Sequence, residues 1–225
     1  MIETKNLTKS FWDGGTKTEV LKGIDFAVKE KEFVAVMGRS GAGKSTLLYQ
    51  ISLLDEPTGG EVVVAGIPSH RMSQKEKTRF RLMQCGYVFQ DYALLPDLTA
   101  RENVALPLLM QGLSKKDAYE KAEQALARVH LDHRAGNLPS ALSGGEQQRT
   151  SIARAIAHDP KILFADEPTA NLDNDSSEAI MDIFSELHKS GQTIIMVTHE
   201  KEYALRAERI VTIDDGKIVS AQSNA

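Results

Sequence analysis

Hydrophobic residues occur along this chain in two kinds of pattern. Nearly continuous apolar runs, typical of buried parallel strands, occur at 32–38, 85–90, 162–166 and 193–199. Between the last two runs, apolar residues at helical spacing follow a polar start and precede a glycine, which predicts a helix over 174–191. Because strand, crossover helix and strand recur, the sequence predicts an α/β fold with a mainly parallel sheet.

Other segments complete this outline. Further strands are predicted at 20–28 and 61–66, and Asp215-Gly216 between two β runs predicts a hairpin over 209–219. From about 91 to 157 strand signals stop, and helices are predicted at 98–110, 114–129 and 145–158. We therefore expect one domain, 1–225, with a core of 1–90 and 158–225 and an inserted helical subdomain of 91–157.

Composition narrows the classes of function. The 225 residues carry 27 Lys and Arg against 31 Asp and Glu, a net charge of -4, which argues against nucleic acid bound by a basic surface. The single cysteine, Cys85, has no partner for an internal disulfide and is interpreted as a packing residue. Charged residues interrupt the N-terminus, so we expect neither a signal peptide nor a membrane span, and we expect a soluble cytosolic chain.

Residues 38–45, GRSGAGKS, follow an apolar strand and open the helix predicted at 44–54. Glycines there let consecutive main-chain N–H groups converge on a polyphosphate, to which the helix N-terminus adds its dipole. Lys44 reaches the terminal phosphates and Ser45 can ligate magnesium. The residues expected to contact a nucleotide in this loop are Gly38, Arg39, Ser40, Gly41, Ala42, Gly43, Lys44, Ser45 and Thr46.

Polar residues follow three predicted strands at the edge where α/β sheets place ligands. Asp166 and Glu167 end one strand, and Gln90 and His199 end two others. Each signal is weak alone, since a strand-end acid pair or a capping histidine is common. Together with Lys44 they supply the charge, metal ligand and water-orienting groups that phosphoryl transfer needs.

The stretch LSGGEQQR, 142–149, places Ser143 and two glycines ahead of a predicted helix. Exposed N–H groups and a hydroxyl at a helix N-terminus form an anion site. An ordinary serine N-cap in a flexible loop is the alternative. Since one nucleotide already has its phosphates bound at 38–46, a second phosphate site favours contact with the ATP of another copy.

These motifs, in this order and over nearly the whole chain, resemble the nucleotide-binding subunits of ABC transporters, and LSGGEQQR is similar to that family's signature motif. The resemblance implies a phosphate-loop NTPase fold with a RecA-like core, an antiparallel β part at the N-terminus and the helical subdomain. It also implies ATP and Mg²⁺ as cofactors.

The resemblance assigns roles residue by residue. Phe11 corresponds to the aromatic residue that stacks on adenine, although adjacent Trp12 stays open as the alternative. Gln90 corresponds to a magnesium ligand that senses the membrane partner, Asp166 to a magnesium ligand with Ser45, Glu167 to the base and His199 to a γ-phosphate contact. The residues expected at the ATP of the opposite copy are Ser143, Gly144, Gly145, Glu146 and Asp173. Asn171 stands where alanine is frequent in the family.

The implied partners are a second copy, in an ATP-dependent head-to-tail homodimer, and integral membrane permease subunits that hold the chain at the cytoplasmic face of the cell membrane. The stretch 89–108 is similar to the branch of lipoprotein-releasing, macrolide-exporting and cell-division systems (LolD, MacB and FtsE types). This favours export or extraction of a lipoprotein, drug or peptide, with a mechanotransmitting complex as the alternative. Either docking of a permease helix or internal packing explains the apolar residues Tyr92, Leu94, Leu95 and Leu98.

Overall fold

The structure is a computed structural model that describes residues 1–224, and the chain divides into two compact units. The first comprises Met1–Arg81 and Gly191–Ala225, and the second comprises Leu82–Ser190. The division into a core of 1–90 and 158–225 and a helical subdomain of 91–157 stays a prediction.

The first unit contains most of the strands. Its elements are β1 (Ile2–Asp13), β2 (Thr16–Val28), β3 (Phe33–Met37), α1 (Lys44–Ile51), β4 (Gly59–Val64), β5 (Ile67–Pro68) and α2 (Gln74–Gln84), which runs across the boundary between the units. The second unit comes next along the chain, before a last stretch that belongs to the first unit. The second unit holds β6 (Cys85–Val88), α3 (Ala100–Met110), α4 (Lys115–Arg128), α5 (Gly144–Ile156), β7 (Ile162–Asp166) and α6 (Asn174–Lys189). The returning elements are β8 (Thr193–Val197), α7 (Lys201–Ala204), β9 (Arg209–Asp214) and β10 (Lys217–Ser223).

Two sets of paired strands form in the first unit. An antiparallel sheet has the order β2-β1-β4-β5 and corresponds to the antiparallel β part expected at the N-terminus. In the other set, β3 pairs in parallel with β8 and β9, and β10 pairs antiparallel with β9. All five residues of β8 are buried, which explains its unbroken apolar sequence. Asp215 and Gly216 both have positive φ in the tight turn of the predicted hairpin, which is confirmed.

The second unit is mostly helical. Strands β6 and β7 are parallel neighbours, and β7 is buried throughout. Helices α3 to α6 each follow an N-cap residue whose side chain accepts a hydrogen bond from a main-chain N–H of the first turn. These residues are Thr99 at α3, Ser114 at α4, Ser143 at α5 and Asp173 at α6. Strand β6 lies so close to α5 that a Cβ added at Gly86 would be 2.3 Å from the carbonyl oxygen of Ala155.

Two strand ends differ from the sequence prediction. β6 ends at Val88 and β8 at Val197, so Gln90 and His199 lie in the loops that follow rather than on strands. After Val88 the chain turns, and the main-chain N–H of Tyr92 donates to the carbonyl oxygen of Phe89. After β8, Thr198 N still donates to Val36 O at 3.1 Å, which places His199 directly beyond the last pairing bond. Among residues 1–224, no helix has the length and apolar character needed to cross a bilayer.

Candidate functional site

Three glycines shape the phosphate loop between β3 and α1. Gly38 contacts β9 so closely that a Cβ would lie 2.2 Å from Ile213 O. Gly43 has a φ of +101°, and a Cβ added there would lie only 3.0 Å from a side-chain atom of Leu21. Gly41 has a φ of +78° but faces open space, with nothing within 4 Å. The loop is therefore fixed at both ends and open above its middle, which suits a bound polyphosphate.

The N-terminus of α1 has no side-chain cap, since Gly43 occupies the N-cap position. A helix start without a side-chain cap suits an anion, because the helix dipole and main-chain N–H groups point toward it. Lys44 is only 6% exposed, and its ammonium donates to the carbonyl oxygen of Arg39 at 3.3 Å. This hydrogen bond holds the lysine along its own loop.

His199 lies beside this loop in the first unit. It lines a cleft of about 560 Å³ together with Met37, Gly38 and Arg39. The side chain is exposed in the loop after β8. The structure thus brings His199 and the start of the phosphate loop to one cleft.

The second unit contributes the acidic pair. Asp166, 5% exposed, is the last residue of β7, and Glu167 follows with a φ of +45°. A non-glycine residue rarely adopts this conformation, and such outliers concentrate at functional sites. From α5, the Gln148 amide donates to Pro168 O at 2.7 Å and fixes the chain directly after Glu167.

Gln90 lies two residues beyond β6 with an exposed side chain. Its main-chain carbonyl oxygen accepts a hydrogen bond from the Asn171 amide at 3.0 Å. The segment after β7 therefore contacts the segment after β6.

Ser143 begins α5 with a reciprocal capping box. Its hydroxyl oxygen accepts from Glu146 N, and its own N–H donates to Glu146 Oε2 at 2.8 Å. This bond lowers the pKa of Glu146 against the opposing effect of burial, and Arg134, 2.9 Å away, lowers it further. Ser143 therefore is the N-cap of α5, as the alternative interpretation holds. This capping role leaves the phosphate role open, because the side chain of Ser143 is exposed.

The glycines of LSGGEQQR are closely packed. A Cβ at Gly144 would lie 3.1 Å from the hydroxyl of Tyr92, and one at Gly145 would lie 3.0 Å from the hydroxyl of Ser176. Asp173, the N-cap of α6, accepts from Ser176 N at 2.8 Å, and this bond lowers the pKa of the Asp173 carboxyl. The signature glycines therefore pack against the segment 171–176, which contains Asp173.

Two aromatic residues are exposed at the end of β1, Phe11 by 47% and Trp12 by 62%. The Lys9 ammonium lies 5.0 Å from the Phe11 ring centroid, and Lys17 lies 5.5 Å from that of Trp12. Adjacent strand residues point to opposite faces, so only one of the two rings is expected to meet a given base.

The apolar residues after Gln90 divide between the two explanations. Tyr92 packs internally against the signature glycine Gly144, whereas Leu95 is 45% exposed.

Sequence reasoning missed two arginines in this unit. Arg134 bonds to Glu146, and Arg154 bonds to the main chain of the Tyr92 segment. Nothing local in the sequence indicates these partners, because the bonds depend on tertiary structure.

A phosphate loop ahead of an uncapped helix, a strand-end acid pair and a serine-glycine helix start define a nucleotide-binding ATPase of the ABC type. A family model described as "ABC transporter" matches residues 21–170, and the chain belongs to this family. The family indicates that the chain binds and hydrolyses ATP.

Curated relatives extend over nearly the whole chain. A lipoprotein-releasing system ATP-binding protein LolD of Aquifex aeolicus is 48% identical over 201 residues, 89% of this chain and 90% of the relative. A macrolide export ATP-binding/permease protein MacB of Campylobacter fetus subsp. fetus is 44% identical over 98% of this chain, which spans only 34% of that relative.

A solved structure gives the same answer for the fold. The dimeric post-hydrolysis state of the ATP-binding cassette MJ0796 bound to ADP and Pi matches with a TM-score of 0.94 at 39% identity, covering 100% of this chain and 99% of that one. The predicted α/β phosphate-loop fold and the predicted family are therefore confirmed.

Proposed function

We propose that this chain is the ATP-hydrolysing subunit of an export-type ABC transporter, in which ATP-driven dimerisation and hydrolysis power export or extraction of a lipoprotein, drug or peptide through a partner membrane subunit. The observation that carries this proposal is the presence, in one chain, of two helix starts with glycines, an uncapped one at Gly43 and one with an exposed serine cap at Ser143. The names of the relatives, lipoprotein-releasing and macrolide export proteins, support the export class. These names do not favour the mechanotransmitting alternative.

The phosphate loop binds the nucleotide phosphates, and Phe11 stacks on adenine. Lys44 contributes its charge at the terminal phosphates, and His199 contacts the γ-phosphate from the same cleft that the loop lines. Glu167 orients the attacking water and accepts its proton. The exposed position of Phe11 and the open space above Gly41 support these assignments.

Three oxygen donors fit Mg²⁺, which prefers oxygen ligands: the Ser45 hydroxyl, the Gln90 amide and the Asp166 carboxylate. When bound, Mg²⁺ neutralises charge that develops on the phosphates. The buried end of β7 holds Asp166 in one position, which supports a ligand role.

Ser143, Gly144, Gly145 and Glu146 contact the ATP of a second copy, and Asp173 crosses the interface. The chain thus forms a head-to-tail homodimer only when ATP is bound. Dimeric solved relatives support this arrangement. Permease subunits hold the chain at the cytoplasmic face of the membrane, with Leu95 as an exposed candidate contact.

Replacement of the base tests the proposal directly. Glu167→Gln should bind ATP without hydrolysing it and form a stable dimer in light scattering, because the γ-phosphate contact to Ser143 persists. Adding Ser143→Arg to this background should keep the protein monomeric, since a bulky cation occupies the second phosphate site. A Glu167→Gln protein that binds ATP and stays monomeric would count against the proposed dimer.

A further inference from the structure

The turn after Gln90 contains two residues in an unfavourable backbone conformation. Tyr92 and Ala93 have φ values of +62° and +48°, in the left-handed region that side-chain-bearing residues rarely adopt. Such a conformation persists only where the surrounding structure holds it. The contacts that hold this turn are therefore informative.

Arg154 of α5 holds the turn from one side. Its guanidinium donates to Tyr92 O at 2.8 Å, to Ala93 O and, more weakly, to Ser151 Oγ at 3.4 Å. Burial lowers the pKa of Arg154, whereas nearby Asp91 raises it. Two main-chain carbonyls thus satisfy a largely buried guanidinium, and the turn is fixed to the signature helix.

Asn171 holds the other side. Its amide nitrogen donates to Gln90 O at 3.0 Å. The Tyr92 side chain completes the junction, since its hydroxyl would lie 3.1 Å from a Cβ at Gly144, which would also lie 3.4 Å from Leu172. The segments that follow β6 and β7 and the start of α5 therefore converge at one place.

We propose that Asn171 and Arg154 are positioning residues for Gln90. Asn171 holds the main chain at Gln90 itself, and Arg154 holds it at the strained turn that follows. Displacement of Gln90 is then transmitted to Ser143 and Asp173 of the same chain. This proposal rests on the proposed role of Gln90 at magnesium and of Ser143 at the second ATP.

A double-mutant cycle on ATP turnover tests the proposal. Asn171→Ala should lower kcat about fivefold, the effect of one lost hydrogen bond, and leave the KM for ATP within about twofold. In a Gln90→Ala background, Asn171→Ala should cause no further decrease, because the side chain that it positions is gone. A purely structural role would lower kcat by the same factor in both backgrounds and would overturn the proposal.

Amide hydrogen exchange of residues 90–93 gives a second readout that needs no turnover. Asn171→Ala and Arg154→Lys should each accelerate exchange there. The controls Asn137→Ala and Arg128→Lys, which make the same changes elsewhere in the second unit, should not. Unchanged exchange in the first pair would refute the proposal. A wild-type protein without ATPase activity would refute the proposed function instead, while the exchange experiment would still decide the role of the two residues.

Discussion

Replacing Ser143 with alanine separates the two roles that its position allows, a helix cap and a phosphate ligand. The change removes the hydroxyl that accepts from Glu146 N at the start of α5. Loss of such a cap costs about 1 kcal/mol of unfolding free energy. For a chain of this length, that lowers the melting temperature by about 2–4 °C.

Thr99 offers a matched control in the same unit. It begins α3 with the same reciprocal capping box, accepting from Glu102 N and donating its own N–H to Glu102 Oε2 at 2.9 Å. Thr99→Ala should therefore lower the melting temperature by a similar amount. The two variants should differ only in function, since α3 does not begin with the signature motif.

Turnover distinguishes the roles. A hydrogen bond to a charged phosphate contributes about 1.5–3 kcal/mol, so Ser143→Ala should lower ATPase activity roughly 10- to 100-fold. Thr99→Ala should retain activity close to that of the wild type. Steady-state phosphate release and thermal melting of the three proteins decide the matter. If Ser143→Ala loses stability but keeps its activity, Ser143 is only a helix cap and the second phosphate site is wrong.

Three further predictions concern separate features. Phe11→Ala should raise the KM for ATP about tenfold, because a stacked base contributes about 1–3 kcal/mol. Trp12→Ala should change the KM less than twofold. The reverse result would assign the stacking role to Trp12. Gly86→Ala should lower the melting temperature by several degrees, since its Cβ would lie 2.3 Å from a carbonyl oxygen of α5, whereas Gly136→Ala, with open space around it, should not. Because the pKa of Glu146 is lowered in the folded protein, its stabilisation is present above the ordinary glutamate pKa and is lost as pH falls through the lowered value. The melting-temperature difference between wild type and Glu146→Gln should vanish at low pH, and a difference that persists there contradicts this reasoning.

The phosphate loop could be predicted from the sequence because its glycines, Lys44 and Ser45 all lie in one short segment between a strand and a helix. It was insufficient for β1 and α2, which carry weak patterns. Register shifts between Thr4 and Leu7 break the alternation of β1. Helix α2 buries only Lys77, so it has no apolar stripe to recognise.

Within the candidate site, the sequence proposes the residues, whose roles stay predictions, but it does not indicate the bonds between them. The bond from Asn171 to Gln90 joins residues 81 positions apart, and Arg154 contacts a turn more than 60 positions earlier. Such bonds depend on where the helices pack. The strained φ of Glu167 likewise follows from the contacts around Pro168 rather than from the residue type.

Trp12 is the single tryptophan of the chain, and its indole is largely exposed beside Phe11 at the end of β1. Its emission therefore comes from one known position next to the ring proposed to receive adenine. Adenine stacked on Phe11, as proposed, would lie one residue from Trp12, so we expect intrinsic fluorescence to follow ATP entry and ADP departure in unlabelled protein. With this single probe, a stopped-flow experiment can time nucleotide binding against the proposed subunit association.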